Sequence, residues 1–223
     1  NFNVPEGSYC SNPYNPVTRI LELRQMIMKF HERGIRVVMD MVYNHMMSTV
    51  NMDNIVPGYY FRSDYLGRYT NGSGCGNELA SERPMVRKFI IDSCLHWIKD
   101  YKIDGIRFDL MELLDIDTTK EIVKKTTKLD KNFLIYGEPW KGGSSPLVNG
   151  TYKGSQKNEN FSIFNDTFRD AIRGNNHPSS GFINGNQYSS ICNWSIIEGL
   201  KGSIYTITSN PNESINYVDA HDN

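Results

Sequence analysis

Three acidic residues each sit at the end of a short apolar run: Asp109 in IDGIRFDLM, Glu138 in FLIYGEPW and Asp222 in INYVDAHDN. Asp109 and Glu138 are 29 positions apart (138 − 109). That is close to one strand–helix repeat of an eight-fold barrel, roughly 31 residues when ~250 are shared among eight units. Carboxylates one repeat apart at corresponding strand ends can meet over a barrel mouth. Two such groups, one an acid and one a nucleophile, are what glycoside hydrolysis needs.

Other side chains cluster at the same kind of position. The run DMVYNH (Asp40 to His45) brings Tyr43, Asn44 and His45 to the end of a strand, where parallel α/β barrels place their ligand sites. A histidine there can hydrogen-bond a sugar hydroxyl, or it can satisfy local backbone. Arg107 and Asp109 are two apart and point to the same side of a strand. An opposite charge favours the ionised form of a carboxylate, and a nucleophile must be ionised. The other reading is a structural ion pair. Pro139 holds Glu138 in extended geometry, and Trp140 offers an apolar wall or a sugar platform. A carboxyl against apolar surface suits a general acid, while the plain alternative is an exposed loop glutamate. No G-x-S-x-G elbow accompanies His221-Asp222, so a serine-hydrolase dyad is set aside. His45, Asp40 and Asp109 lack the dense spacing of a metal motif, and no metal ligand is assigned.

The elements that must position these residues follow from periodicity. Residues 1–16, rich in Pro, Asn, Tyr and Ser, read as a surface loop. Thr18 reads as the N-cap of a helix carrying Ile20, Leu23, Ile27 and Phe30, which Gly34 ends. IRVVMDMVYNH predicts a strand buried on both faces. Residues 46–83, with the NGSGCGN cluster, form a long segment of the kind that is usually functional in a compact domain. Pro84 starts the next helix, whose apolar face of Phe89, Ile90, Leu95 and Ile98 runs up to Tyr101. IDGIRFDL is a strand, residues 117–128 a helix, and FLIYGE and FSIFND are strands. Asp166 opens the short helix DTFRDAIR. Residues 174–193 read as loop, Ser195–Leu200 as a short helix and INYVDAHD as the last strand. Such alternation predicts a parallel sheet with helical crossovers, and five strands make an incomplete barrel.

Composition narrows the function class. The 223 residues read as one domain, 39% hydrophobic, with a mean hydropathy of −0.50 and 18 glycines that imply long polar loops. Net charge is −1 with no basic stripe, which argues against nucleic acid as a partner. No apolar run approaches the ~18 residues of a membrane span. Cys10, Cys75, Cys94 and Cys192 are far apart, without a C-x-x-C pair, and read as free thiols, leaving the compartment undecided. The chain begins at Asn1 without Met and stops at Asn223 inside a motif, which reads as an internal piece of a longer protein.

Taken together and in order, DMVYNH, GIRFDLM, YGEPW and YVDAHDN resemble the four signature regions of the α-amylase superfamily, glycoside hydrolase family 13. NVPEGSYCSNPY, IVPGYYFR, NGSGCGNELASERPMVRKFI, RFDLMELLDIDT and FNDTFRDAIRG resemble its type I pullulanase subfamily. The resemblance covers nearly the whole chain. It implies a catalytic (β/α)8 TIM barrel spanned incompletely, from about the second helix to the seventh strand, with residues 46–83 as an excursion after the third strand. It implies Asp109 as nucleophile, Glu138 as general acid/base and Asp222 as the carboxylate that stabilises the transition state. Arg107 would support Asp109, while His45, Asn44 and His221 would bind the glucose whose bond breaks, and Trp140 would line the site beyond it. The implied reaction is retaining hydrolysis of α-1,6 branch linkages in pullulan, glycogen or starch-derived dextrins, requiring no cofactor; calcium is not assignable. The alternatives are an α-1,4-acting or branching enzyme of the same superfamily, or a catalytically dead carbohydrate-binding barrel. Two departures stand out: the Y-N-W-G-Y-like motif expected just before this segment is missing, and GEPW replaces the usual GEGW.

Overall fold

The computed structural model describes residues 2–176 and 179–221. The chain divides into two compact units. The first comprises Asn1–Ile135 and Trp140–Thr151, the second Tyr136–Pro139 and Tyr152–Asn223.

In the first unit, helix α1 (Pro16–His31) starts where the Asn15 side chain accepts from the Val17 N–H at 3.0 Å. Pro16 fills the first helical position, where a missing N–H costs nothing. The cap is therefore Asn15 and not Thr18, because a proline with its φ already set outweighs a later threonine. Ile27 is buried but Phe30 is 40% exposed, so the expected apolar stripe is only partly covered. Strand β1 (Val38–Met41) pairs in parallel with β2 (Gly105–Phe108), from Val38 opposite Gly105 to Met41 opposite Phe108. All four residues of β2 are buried, whereas Val38 and Met39 are half-buried and Asp40 is exposed. The two-faced burial expected of β1 thus belongs to β2. Among the described residues β1 stands at one end of the strand order, with β2 as its strand neighbour.

Two longer helices of this unit pack on each other. After the single-turn helix α2 (Val50–Asp53), α3 (Pro84–His96) opens on Pro84 and buries Val86, Ile90, Ile91 and Cys94. A π-helical turn, Trp97–Tyr101, extends it and ends at Lys102, which takes a left-handed φ of 60°. α4 (Ile116–Leu129) is capped by Asp115, whose carboxylate accepts from the Thr118 N–H at 3.0 Å and from Arg87 at 2.8 Å. Burial pushes the Asp115 pKa up, but hydrogen bonds from Thr118 and Ser81 and the Arg87 charge outweigh it and hold it below the ordinary value. Under β1 and β2, Phe2 packs on Tyr43 with ring centres 5.2 Å apart. The Phe2 carbonyl accepts from Trp97 Nε1 at 2.8 Å.

In the second unit, the end of β3 (Leu134–Gly137) pairs in parallel with β4 (Ser162–Asn165), and β4 pairs with β5 (Ser214–Asn216). Asn165 caps α5 (Asp166–Arg173) by accepting from the Phe168 N–H at 3.1 Å. α6 (Ser190–Leu200) begins five residues before the expected Ser195, inside the stretch read as loop, because Ser189 caps it through Cys192 N. Gly199 of α6 lies against Phe168: a β-carbon there would come within 2.2 Å of the ring. β5 is shorter than INYVDAHD suggests; residues 217–221 lie outside the ladder. Among the described residues the architecture is mixed α/β with a parallel sheet of five strands in the order β1-β2-β3-β4-β5, and no helix is long and apolar enough to cross a membrane.

Candidate active site

The C-terminal ends of β1 and β2 carry a connected polar cluster. Arg107 on β2 is buried, and its Nη1 reaches Asp40 at 2.8 Å and Asp109 at 2.9 Å. The two-residue spacing therefore does place Arg107 beside Asp109. The other Asp109 oxygen accepts from Asn44 Nδ2 at 2.8 Å, and the same nitrogen reaches the Asp109 carbonyl at 3.0 Å. Asn44 Oδ1 lies 2.5 Å from His45 Nδ1. Each Asp109 oxygen thus has a donor of its own, one cationic and one amide. Contacts of this kind fix a carboxylate in direction. Leu110, immediately after, has φ 41° and ψ 53°. A leucine in that left-handed region is strained, and such strain is held only where the surroundings over-determine it.

Asn44, expected among the sugar-binding residues, sits beneath this cluster. It is 1% exposed, with its amide directed to Asp109 and His45. His45 is half-buried and lines a cleft of about 490 Å³ with Asp40, Met41, Met46, Met47 and Asn51. Tyr43 turns the other way. It is buried with its hydroxyl 2.7 Å from Ser93 Oγ, and burial drives its pKa far upward.

The 46–83 segment is ordered around a charged centre that the sequence reading missed. Arg62, 3% exposed, donates to Glu78 at 2.8 Å, to Glu82 at 2.9 and 3.0 Å, to Ser81 at 3.1 Å and to the Leu113 carbonyl at 2.8 Å. Glu78 is 0% exposed and also accepts from Ser145 at 2.7 Å. Two antiparallel bridges, Phe61 with Leu79 and Ser63 with Tyr69, run alongside. The base of the segment closes on the cluster. Leu79 N donates to the Asn44 carbonyl at 2.9 Å, and Asn77 bonds both backbone groups of Met46, at 3.0 and 2.7 Å. The polar NGSGCGN run was the one available signal, and it marks this closure.

Trp140 belongs to the first unit and is half-buried. Its segment is held there by Gly143 N, which donates to the Gly72 carbonyl at 2.8 Å, and by Thr151 N, which donates to the Leu114 carbonyl at 2.9 Å. In the second unit, Glu138 directly follows β3 and is buried, at 6% exposure. An exposed loop glutamate, the plain alternative, is excluded. The T-shaped pair Tyr136–Phe164 and the tilted pair Phe164–Tyr217, with ring centres 5.5 and 5.0 Å apart, stack along this unit's strands. Arg169 donates to the Tyr217 hydroxyl at 2.7 Å. His221 lies exposed in a turn. The proposed third carboxylate, Asp222, lies outside the described residues.

No family model matches the chain. The pullulanase of Bacillus subtilis (strain 168) is 42% identical over 234 residues, covering all of this chain and 32% of the relative. The structure of the pullulanase from Bacillus acidopullulyticus matches with a TM-score of 0.94 and 43% identity, over 100% of this chain and 28% of that one. The Paenibacillus barengoltzii pullulanase, solved in complex with maltohexaose and alpha-cyclodextrin, matches with a TM-score of 0.94 and 40% identity, over 100% of this chain and 36% of that one. The chain therefore spans about a third of the length of these relatives. With sequence and backbone agreeing over all of it, the chain belongs to the pullulanase family.

Proposed function

We propose that this chain carries catalytic machinery of a retaining glycoside hydrolase that cleaves α-1,6-glucosidic branch linkages, on an incomplete (β/α)8 barrel. The observation that carries the reading is the Asp109 carboxylate, with one oxygen on Arg107 and the other on Asn44. A nucleophile must attack in one direction, and two fixed donors set that direction without a reorganisation cost during reaction. In this reading Asp109 attacks the anomeric carbon and its bond to that carbon forms as the bond to the leaving oxygen breaks. Glu138, buried at its strand end, gives its proton to that oxygen. Water then attacks the glycosyl-enzyme while Glu138 takes the water proton, which restores both carboxyl groups. His45 and His221 would hold sugar hydroxyls, Trp140 would flank the leaving side and Asp222 would stabilise the transition state. The substrate class is supported by the maltohexaose and cyclodextrin complex of the Paenibacillus relative.

The test uses the protein that carries this chain. Pullulan should be cut to maltotriose, the product of α-1,6 cleavage, while amylose stays intact. Asp109→Asn and Glu138→Gln should each reduce kcat at least about 10³-fold in protein whose circular dichroism is unchanged. Normal turnover by either variant refutes the roles, and cleavage of amylose with pullulan untouched refutes the linkage.

A further inference from the structure

We infer that Asn77 is a positioning residue for the nucleophile: it fixes the backbone just past His45, and through it the Asn44 amide that orients Asp109. The inference rests on the glycosidase reading above. Asn77 is 4% exposed, and both polar atoms of its side chain go to one residue. Oδ1 accepts from Met46 N at 3.0 Å and Nδ2 donates to the Met46 carbonyl at 2.7 Å. A side-chain amide bonded to both groups of a single residue acts as a one-residue strand, setting the rotation of that residue as well as its position. Two residues later, Leu79 N holds the Asn44 carbonyl at 2.9 Å. Residues 44–46 are thus gripped at both ends by 77–79. Between the grips lie the Asn44 amide, 2.8 Å from Asp109, and the His45 imidazole.

The grip is itself rigid. The Asn77 carbonyl accepts from Ser73 Oγ at 2.5 Å, and that oxygen accepts from Cys75 N at 3.0 Å. Asn71 Oδ1 accepts from Gly76 N at 2.6 Å. Gly74 and Gly76 take φ of +79° and +97°, which a side chain rarely adopts, so the turn presenting Asn77 holds a shape that most sequences would resist. A loop needed only to connect β1 with α3 has no call for this many constraints at the residue opposite Met46. The arrangement is accounted for if the catalytic carboxylate takes its direction from Asn44, and Asn44 takes its place from Asn77.

The test compares Asn77→Ala, which loses both Met46 bonds, with Asn77→Asp, which keeps the acceptor for Met46 N. Each is made in the protein that carries this chain. Activity on pullulan is expressed per active site, titrated with a covalent glycosyl-enzyme inhibitor, so misfolded molecules drop out. Asn77→Ala should lower kcat about 10- to 100-fold, the scale of a sub-ångström to ångström misplacement, with KM within about threefold. Asn77→Asp should fall between it and the wild type. Independently of activity, the His45 imidazole resonance in ¹⁵N-labelled protein should move in both variants. An unmoved His45 resonance together with wild-type kcat in Asn77→Asp overturns the inference, even if Asn77→Ala fails to fold. Wild-type kcat per titrated site in Asn77→Ala overturns it too. Full activity in Asp109→Asn refutes instead the glycosidase reading, and the His45 resonance then decides the positioning claim alone.

Discussion

Arg62→Ala should open the 60–81 region while leaving the rest of the first unit folded. The arginine makes five hydrogen bonds in the structure, three of them to carboxylates. Its removal leaves Glu78, which is 0% exposed, with only neutral donors: Ser145 at 2.7 Å and the Gly72 N–H at 3.3 Å. Breaking a buried pair by deleting one partner costs about 3–5 kcal/mol, because the remaining charge is uncompensated. Against a typical total stability of about 5–15 kcal/mol, such a loss is large enough to populate local opening. Hydrogen exchange read on the 60–81 peptide is the direct assay. The amides of Arg62, Thr70 and Ala80 are bonded within this region, to the Glu78, Arg62 and Tyr60 carbonyls at 2.9–3.0 Å. Their exchange should accelerate at least about 100-fold, equivalent to about 2.7 kcal/mol at 1.36 per decade. The double replacement Arg62→Met with Glu78→Met should recover most of the loss, since an apolar pair carries no desolvation penalty. Unchanged exchange in Arg62→Ala, or a double variant worse than the single, would refute the reasoning.

Three further outcomes follow from the geometry. Gly199→Ala places a methyl 2.2 Å from the Phe168 ring and should destabilise by about 1–3 kcal/mol; a thermal melt within 1 °C of the wild type counts against tight α5–α6 packing. The depressed pKa of Asp115 contributes stability above the unfolded-state value near 3.9 that is lost as pH falls through the folded-state value. The melting-temperature gap between wild type and Asp115→Asn should therefore be full at pH 7 and narrow on acidification below about pH 4, and a gap independent of pH would contradict the shift. Burial pushes the Cys94 thiol up to about 12, whereas Cys75 is exposed. A maleimide at pH 7 should label Cys75 in the native protein and leave Cys94 untouched until denaturant is added, as peptide mass mapping would show.

The parallel β/α order was readable because the chain alternates short β-branched runs with helical periods, and Pro84 and Asp166 mark helix starts where the structure has them. The Arg107–Asp109 contact was readable because a period of two on a strand leaves little freedom. The Asn44–Asp109 contact was not legible for a physical reason: the two residues are 65 positions apart, and only the folded chain brings the amide to the carboxylate. The Arg62–Glu78 pair was hidden in the same way, since charged residues in a Gly-rich segment default to the surface. The start of α1 was misread because Asn15-Pro16 competes with Thr18, and the local hydrogen bond of Asn15 decides. α6 was undercounted because Ser189 sits in a run of polar residues whose capping value depends on the helix after it.

The closed base of the 46–83 segment also bears on how its length can change. Asn77 and Leu79 tie it to Met46 and Asn44 at the bottom, and Arg62 ties it to Glu78 above that. Beyond these ties, residues 64–68 form a small turn in which Asp64 accepts from Leu66 N and Arg68 N, with Tyr65 93% exposed. Residues added at that turn lengthen a loop whose ends are already joined, and each doubling of a flexible loop costs only about 0.6 kcal/mol. Residues added between 71 and 79 would instead shift the register of every bond that holds residues 44–46. Sequence drift in length is thus channelled to the tip, where new side chains can reach outward while the strand ends below keep their spacing.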